Sequence, residues 1–305
     1  GGKHALSNIM TTLLNPGYEV LLWAPHWISY TEMVKLNGGE IKVVGANVFE
    51  AYVPSLEEIE NQISANTKIL VLNSPNNPSG IHYPDDWMKG LAELLEKYPD
   101  VTVISDEIYY HLYYYDPKPT YYYQHNPKLL ERTVIVDGIS KTLASTGLRI
   151  GYLLAPKKLT RAISRLQGQT ASGANSLIQR ALMNFDFDKT DSYLKPIRIH
   201  LRDNSQILRE KLRERNLYGL WYQTSSAFYF LLDLSQSPVM KNYRKSDDDK
   251  SDYAGKLCED LLENEGVALV PGSDFGAPNT VRISLVSPHD QFEEALGKLV
   301  DFLNG

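Results

Sequence analysis

Lys68-Ile69-Leu70-Val71-Leu72-Asn73-Ser74-Pro75-Asn76-Asn77-Pro78-Ser79-Gly80 is the stretch that decides the fold. Its unbroken apolar run reads as a strand buried on both faces, because a strand with one wet face would alternate apolar and polar residues. The two prolines and the glycine make the following loop a stiff turn that presents an amide able to donate to an oxygen. Working outward, a helix near Asp85–Lys97 and the strand Val101–Ser105 follow, then the strand Thr133–Asp137. Upstream lie a helix at Ser55–Ser64, a strand at Ile41–Val44, a helix near Tyr30–Asn37 and a strand at Glu19–Trp23. An amphipathic helix carrying Ala5-Leu6, Ile9-Met10 and Leu13-Leu14 opens the chain and stops at Asn15-Pro16-Gly17. Short β-rich runs separated by helices imply an α/β fold with a mostly parallel sheet and helices on both faces. Ligands of such sheets gather beyond the carboxyl ends of the strands, so the loops after Asn73, Ser105 and Asp137 are where chemistry is expected.

The texture changes from about Tyr193. A charged helical stretch (Ile197–Arg215), the apolar run Ala227–Leu232, a helix at Tyr253–Asn264, short strands at Val267–Val270 and Val281–Leu285 and a final helix form an α+β pattern. At roughly 150 residues per domain, 305 residues fit two: a large one near 1-190 and a smaller C-terminal one near 191-305. The polar run Lys241–Asp252 inside the smaller domain reads as a solvated loop.

Composition excludes several classes. Residues of the set AVILMFWYC make up 43% and charged residues 22%, as in a globular protein. A formal charge of −6 gives no positive field for a phosphate backbone, so no nucleic-acid partner is expected. No apolar run approaches the ~18–20 residues that span a bilayer, so no membrane partner is expected either. A lone cysteine, Cys258, without a secretory signal pattern, fits a cytoplasmic location. The seven histidines show no ligand spacing, and no metal site is expected. Ser140-Lys141-Thr142 lacks the glycine that precedes the lysine of a P-loop, and no dinucleotide glycine motif occurs. The clusters Tyr109-Tyr110, Tyr113-Tyr114-Tyr115 and Tyr121-Tyr122-Tyr123 read as surface packing and dimer contact rather than a base-stacking platform.

Four segments carry chemistry together. Gly1-Gly2-Lys3 opens a helix, where free N–H groups suit a phosphate. Asn77 lies in the stiff loop, and Ser105-Asp106-Glu107-Ile108-Tyr109 leaves an acid where an apolar strand stops. Gly138-Ile139-Ser140-Lys141 is followed by Gly147-Leu148-Arg149-Ile150-Gly151. A lysine whose pKa is lowered by burial or nearby cations attacks carbonyls and forms Schiff bases. A lysine for an aldehyde, an acid for a pyridine nitrogen, and N–H donors plus an arginine for a phosphate are the needs of pyridoxal 5'-phosphate.

On the motifs NSPNNPSG, SDEIY, GISKTLASTGLRIGY and VPGSDFG…VRISL, the chain resembles the class I aminotransferases of PLP fold type I, in the aspartate aminotransferase group, along its whole length. The resemblance implies the following roles. Lys141 is the Schiff-base lysine and proton carrier, Asp106 pairs with the pyridinium nitrogen, Asn77 and Tyr109 hydrogen-bond the ring 3-oxygen, and Trp27 stacks on the ring. The backbone of Gly1, Gly2 and Lys3, with Arg149 and Ser140, holds the phosphate. Arg282 grips the substrate α-carboxylate, with Trp27 and Asn77 alongside, and Lys3 faces the distal carboxylate of an acidic substrate. It further implies ping-pong transamination from an amino acid, aspartate in the first instance, to a 2-oxo acid such as 2-oxoglutarate, in a homodimer. An aromatic or prephenate aminotransferase, a carbon–sulfur lyase on the same fold, and a non-catalytic PLP-binding regulatory module are the alternatives. Three positions depart from the family pattern: Gly138 stands where a phosphate-binding serine is common, Ser145 replaces an apolar residue, and His26 replaces tyrosine. The family also carries a substantial segment before its Gly-Gly-Lys motif, so the chain is expected to be part of a longer enzyme.

Overall fold

The computed structural model describes residues 1–220, 222–246 and 249–305. Helix α1 (Gly2–Leu13) buries Leu6, Ile9 and Met10, a stripe at helical spacing. Strand β1 (Glu19–Ala24) is buried at every position. Helix α2 (Ser29–Leu36) leads to the exposed edge strand β2 (Glu40–Gly45). Helix α3 (Leu56–Gln62) starts where Ser55 Oγ accepts from the Glu58 amide at 3.3 Å, an N-cap that replaces a missing helical partner. Strand β3 (Thr67–Asn73) follows, then α4 (Asp85–Glu96), β4 (Thr102–Asp106), the short α5 (Tyr122–His125), β5 (Thr133–Asp137) and the short α6 (Ile139–Thr142). Strand β6 (Tyr152–Leu154) and helices α7 (Lys157–Thr170) and α8 (Ser176–Leu182) complete the first part, and α9 (Thr190–Glu214) opens the second. The remainder is β7 (Tyr229–Asp233), α10 (Ala254–Glu265), β8 (Val270–Pro271), β9 (Thr280–Ser284) and α11 (His289–Asn304).

The first sheet has the order β2-β1-β3-β4-β5-β6 and is parallel except for β6, which runs antiparallel to β5. The second, β7-β9-β8, is antiparallel. This is an α/β fold with a smaller α+β unit. Alternation along the strands divides the core. Val20, Leu22, Ile69, Val71 and Ile104 pack with α1, α2 and α7 on one face. Leu21, Trp23, Leu70, Leu72 and Val103 pack with α4 on the other, in a core that continues into the second sheet. The chain builds outward from β1 in both directions, to β2 and to β3, so the strand ends Ala24, Asn73 and Asp106 flank a topological switch point, where a crevice forms.

Three expectations need correction. The strand placed at Val267–Val270 is only Val270–Pro271, because Pro271 lacks an N–H and fits only an edge, which β8 is. The helix read from Ile197 starts at Thr190 and runs through Pro196, the residue that hid its first turns. The tyrosine clusters are only in part a surface feature: Tyr109, Tyr114, Tyr121 and Tyr122 are buried in the chain's own core, while Tyr110, Tyr113, Tyr115 and Tyr123 are partly exposed. Several of their hydroxyls find partners there; Tyr121 donates to the Ser74 carbonyl at 3.0 Å and Tyr122 bonds Thr133. Asp247 and Asp248 of the polar run lie outside the described residues.

Candidate active site

The loop after β3 is fastened at both ends. Asn73 Oδ1 accepts from the Asn77 amide at 2.9 Å, while its Nδ2 donates to the Asp106 carbonyl at 3.1 Å, tying the ends of β3 and β4 together. Ser79 donates to Asn76 Oδ1 through both its amide and its hydroxyl. The Gly80 carbonyl accepts from the amides of Ser225 and Ser226 at 3.0 and 2.8 Å, and Tyr222 donates to the Ser79 carbonyl. A Cβ at residue 80 would stand 2.0 Å from the Tyr229 carbonyl oxygen, and φ there is +70°, so only glycine lets the loop lie against β7. The loop thus joins the two sheets and fixes Asn77 between them.

The start of α1 is positioned by a second close approach. A Cβ at Gly151 would lie 2.3 Å from the Gly2 nitrogen, so the glycine after Ile150 lets this turn pass under the helix end. The Gly1 amino group donates to the Arg149 carbonyl at 3.0 Å. Gly1 offers no side chain to cap α1, which leaves the helix's first N–H groups for an anion.

A cavity of about 290 Å³ opens beyond the strand ends. Gly2, Lys3, Trp27, Asn77, Asp106, Tyr109, Ser140, Lys141, Arg149 and Arg282 all line it. Gly1 does not; it lines an adjoining hollow with Arg149 and Tyr152. Asp106 is 4% exposed, and burial pushes its carboxyl up to about 6 despite hydrogen bonds from Tyr30 and the Ile108 amide. Burial first, then Arg282 and Arg149, lowers the Lys141 pKa. Its ammonium lies 5.4 Å from the Phe228 ring centre and 5.9 Å from that of Tyr109. Burial raises the Tyr109 phenol well above its usual range, so it remains a donor.

Arg282 comes from β9 and donates to Asn77 Oδ1 at 2.9 Å, across a sequence separation of 205. Its guanidinium lies 4.4 Å from the Tyr229 ring centre and 4.8 Å from that of Phe275. Lys3 stands over Trp27 at 4.8 Å. Among the described residues no carboxylate pairs with Lys3, Lys141, Arg149 or Arg282. A cavity with four unpaired cations and one buried acid is built for an anionic ligand that carries a cationic centre. That donor set fits pyridoxal phosphate. Of the departures, His26 is buried, and its amide donates to the Phe275 carbonyl, seating the VPGSDFG loop. Ser145 Oγ donates to the Ile139 and Leu143 carbonyls. A Cβ at Gly138 would meet Gly151 Cα and the Ile150 carbonyl at 3.0 Å.

Sequence reasoning missed Tyr30 and Tyr229, which also line the cavity. Tyr30 carried a signal: it lies three residues after Trp27, near one helical turn, and so shares its side. Tyr229 carried none beyond its place in an apolar run.

The family described as aminotransferase class I and II matches residues 1–299. The aspartate aminotransferase of Thermotoga maritima is 34% identical over 304 residues, which span 100% of this chain and 74% of that protein. The aspartate/prephenate aminotransferase of Nitrosomonas europaea is 32% identical over 308 residues, 100% of this chain and 76% of that one. Among solved structures, the Thermus thermophilus aspartate aminotransferase with maleate superposes with a TM-score of 0.87 at 34% identity, covering 99% of this chain and 74% of its own.

Proposed function

This chain belongs to aminotransferase class I and II and is a pyridoxal-phosphate-dependent aminotransferase; we propose that it transfers the amino group of aspartate to 2-oxoglutarate in a ping-pong cycle. The observation that carries the substrate class is the pair Lys3 and Arg282, both lining one cavity and neither matched by an acid among the described residues. Two such cations suit the two carboxylates of an acidic amino acid. The Thermus relative was solved with maleate, itself a dicarboxylate.

Bound pyridoxal phosphate supplies an aldehyde that condenses with amino groups and a ring that draws electrons from the substrate α-carbon. The chain's own groups do the rest. Arg282, braced by Asn77 and by the rings of Tyr229 and Phe275, grips the α-carboxylate with its planar fork. Lys3 takes the distal carboxylate. Lys141 Nζ, its pKa lowered by burial and by two arginines, would carry the proton from the substrate α-carbon to the aldehyde carbon of the cofactor in the first half-reaction, and in the opposite direction, to the α-carbon of the second substrate, in the next. Asp106, ionised at neutral pH with its carboxyl at about 6, would hold the proton of the ring nitrogen by charge. Asn77 and Tyr109 would donate to the ring 3-oxygen, and Trp27 would cover a ring face. Arg149, Ser140 and the amides of Gly2 and Lys3 would hold the phosphate, whereas Gly1, expected to share in this, lies outside the cavity with its amino group on the Arg149 carbonyl.

The partner is a second copy of the chain: Leu148, Tyr152, Leu154, Leu177, Met183 and Phe187 are exposed large apolar groups between residues 148 and 187, a surface that a homodimer would cover. The same reading divides the chain near residue 190, with β1–β6 before it and β7–β9 after. It places the protein in the cytoplasm, where the buried Cys258, its thiol raised to about 11 by burial, stays reduced. Among the described residues no helix is long and apolar enough to cross a membrane.

Incubating the protein and cofactor with aspartate and 2-oxoglutarate should release oxaloacetate and glutamate in equal amounts. The curated aspartate/prephenate relatives favour a second acceptor, prephenate, also a dicarboxylate. Running the two acceptors side by side separates the readings, and no product with aspartate under either acceptor would sink both.

A further inference from the structure

The geometry points to Tyr30 as a positioning residue for Asp106: its hydroxyl pins one carboxylate oxygen while its ring steadies Trp27, holding acid and aromatic face in one fixed relation across the cavity. Tyr30 Oη donates to Asp106 Oδ2 at 2.6 Å, with the two residues 1% and 4% exposed. The other carboxylate oxygen accepts a longer bond from the Ile108 amide, 3.3 Å. The Tyr30 ring stands at 88° to that of Trp27, with centres 5.4 Å apart. Tyr30 lies in the first turn of α2 and Trp27 two residues before that helix, its carbonyl accepting from the Tyr30 amide at 3.1 Å, so one stretch of chain carries the ring cover and the acid's anchor together.

The hydroxyl is an obligate donor. Burial raises its pKa well above 10, and Asp106, Tyr109 and Tyr83 add to the effect, so it keeps its proton at any working pH. The titratable groups that bear on Asp106 come from every side. Asp137 at the end of β5 pushes its carboxyl up, and Glu107, itself raised to about 7, lies beside it. Tyr109 in the turn after β4 interacts with it, and Lys141 lies across the cavity. Against burial and these acids, the Tyr30 hydroxyl and the Ile108 amide are the contacts that favour the ionised form. Without the hydroxyl, Asp106 would retain its proton to higher pH and one of its oxygens would lose its fixed direction.

This inference rests on the reading that Asp106 receives the ring nitrogen of the cofactor. Tyr30→Phe removes one oxygen and keeps the ring against Trp27, so it separates the hydroxyl from the packing. The dissociation constant of pyridoxal phosphate is measured by equilibrium dialysis at pH 6 and pH 8 for the parent, Tyr30→Phe and Asp106→Asn. If the Asp106 carboxyl rises by about one pH unit, its ionised fraction falls roughly fivefold at pH 6 and hardly at pH 8. Binding by Tyr30→Phe should therefore weaken about fivefold at pH 6 and less than about twofold at pH 8. Its kcat should fall with little change in the KM of the amino acid, because Arg282 and Lys3 are untouched. A titration of carbon-13-labelled aspartate carboxyls in the cofactor-free protein, with Asp106 assigned from Asp106→Asn, should show the signal titrating at higher pH in Tyr30→Phe. An unmoved titration, or equal weakening at both pH values, overturns the inference. If Asp106→Asn loses binding while Tyr30→Phe matches the parent, only the Tyr30 inference fails. If Asp106→Asn itself binds and turns over like the parent, the reading of Asp106 fails with it.

Discussion

Gly80→Ala would drive a methyl group to 2.0 Å from the Tyr229 carbonyl oxygen, where ordinary contact begins near 3.4 Å. The loop must then retreat from β7 by more than an ångström. Two costs add. The left-handed backbone at φ +70° costs a residue with a Cβ about 1–2 kcal/mol. The retreat also strains the two buried hydrogen bonds from Ser225 and Ser226 to the Gly80 carbonyl, each contributing about 1 kcal/mol net and more if its donor is left unpaired. Stability should fall by about 3–5 kcal/mol. Asn77 lies on the same loop and accepts from Arg282, so the retreat also withdraws the brace of the substrate arginine. With about 1.4 kcal/mol lost from that brace, kcat/KM should fall roughly tenfold. Urea unfolding and steady-state transamination read both effects. Gly297→Ala is the control: it lies inside α11 with open space at its Cβ and should gain about 0.5–1 kcal/mol from helix propensity. A Gly80→Ala protein with the parent's unfolding midpoint and KM would refute the claim that this glycine holds the sheets and the site together.

Lys141→Ala should remove nearly all turnover while leaving the fold intact, since the side chain is half-buried and forms no ion pair among the described residues; undiminished transamination by the purified variant would rule out its role. Arg282→Lys should raise KM more than it lowers kcat, with kcat/KM down about 10–100-fold, because a point charge cannot reproduce the fork or its stacking on Tyr229 and Phe275; an unchanged KM speaks against it. Asp106→Asn ties the site to stability through pH. The folded carboxyl titrates at about 6, above its ordinary 3.8, so its stabilising contribution is full below 3.8 and lost as pH rises through 6. The cofactor-free variant, lacking that loss, should exceed the parent by about 3 kcal/mol at pH 8, and by about half as much at pH 5, in urea titrations. A difference that does not vary with pH would mean Asp106 is not strained by its burial.

Much of the site was legible because its chemistry sits where local signals are strongest. Asn73, Asp106 and Asp137 each end an apolar strand, and a strand's end is marked by the change from β-branched and leucine-rich residues to polar ones. Gly80 and Gly151 announce close backbone approaches by their residue type alone, although not what approaches. The strand β6 went unread because three residues between a glycine turn and a helix carry too short a period to register. The buried tyrosines were misread because an aromatic run shows no alternation that would reveal which rings face inward.

By itself, the sequence determined the order and kind of most elements outside residues 138–190, the motifs at the strand ends and the residue types the chemistry needs, because each rests on contacts between residues near one another along the chain. Only the tertiary structure decided that Arg282 meets Asn77 across 205 positions, that Tyr30 seizes Asp106 across 76, and that Lys141 loses proton affinity through burial and, after it, two nearby arginines. Burial and Coulomb interaction depend on which surfaces pack together, and that packing follows from the sheet order and the seam between β7 and the loop after β3, which no local pattern encodes.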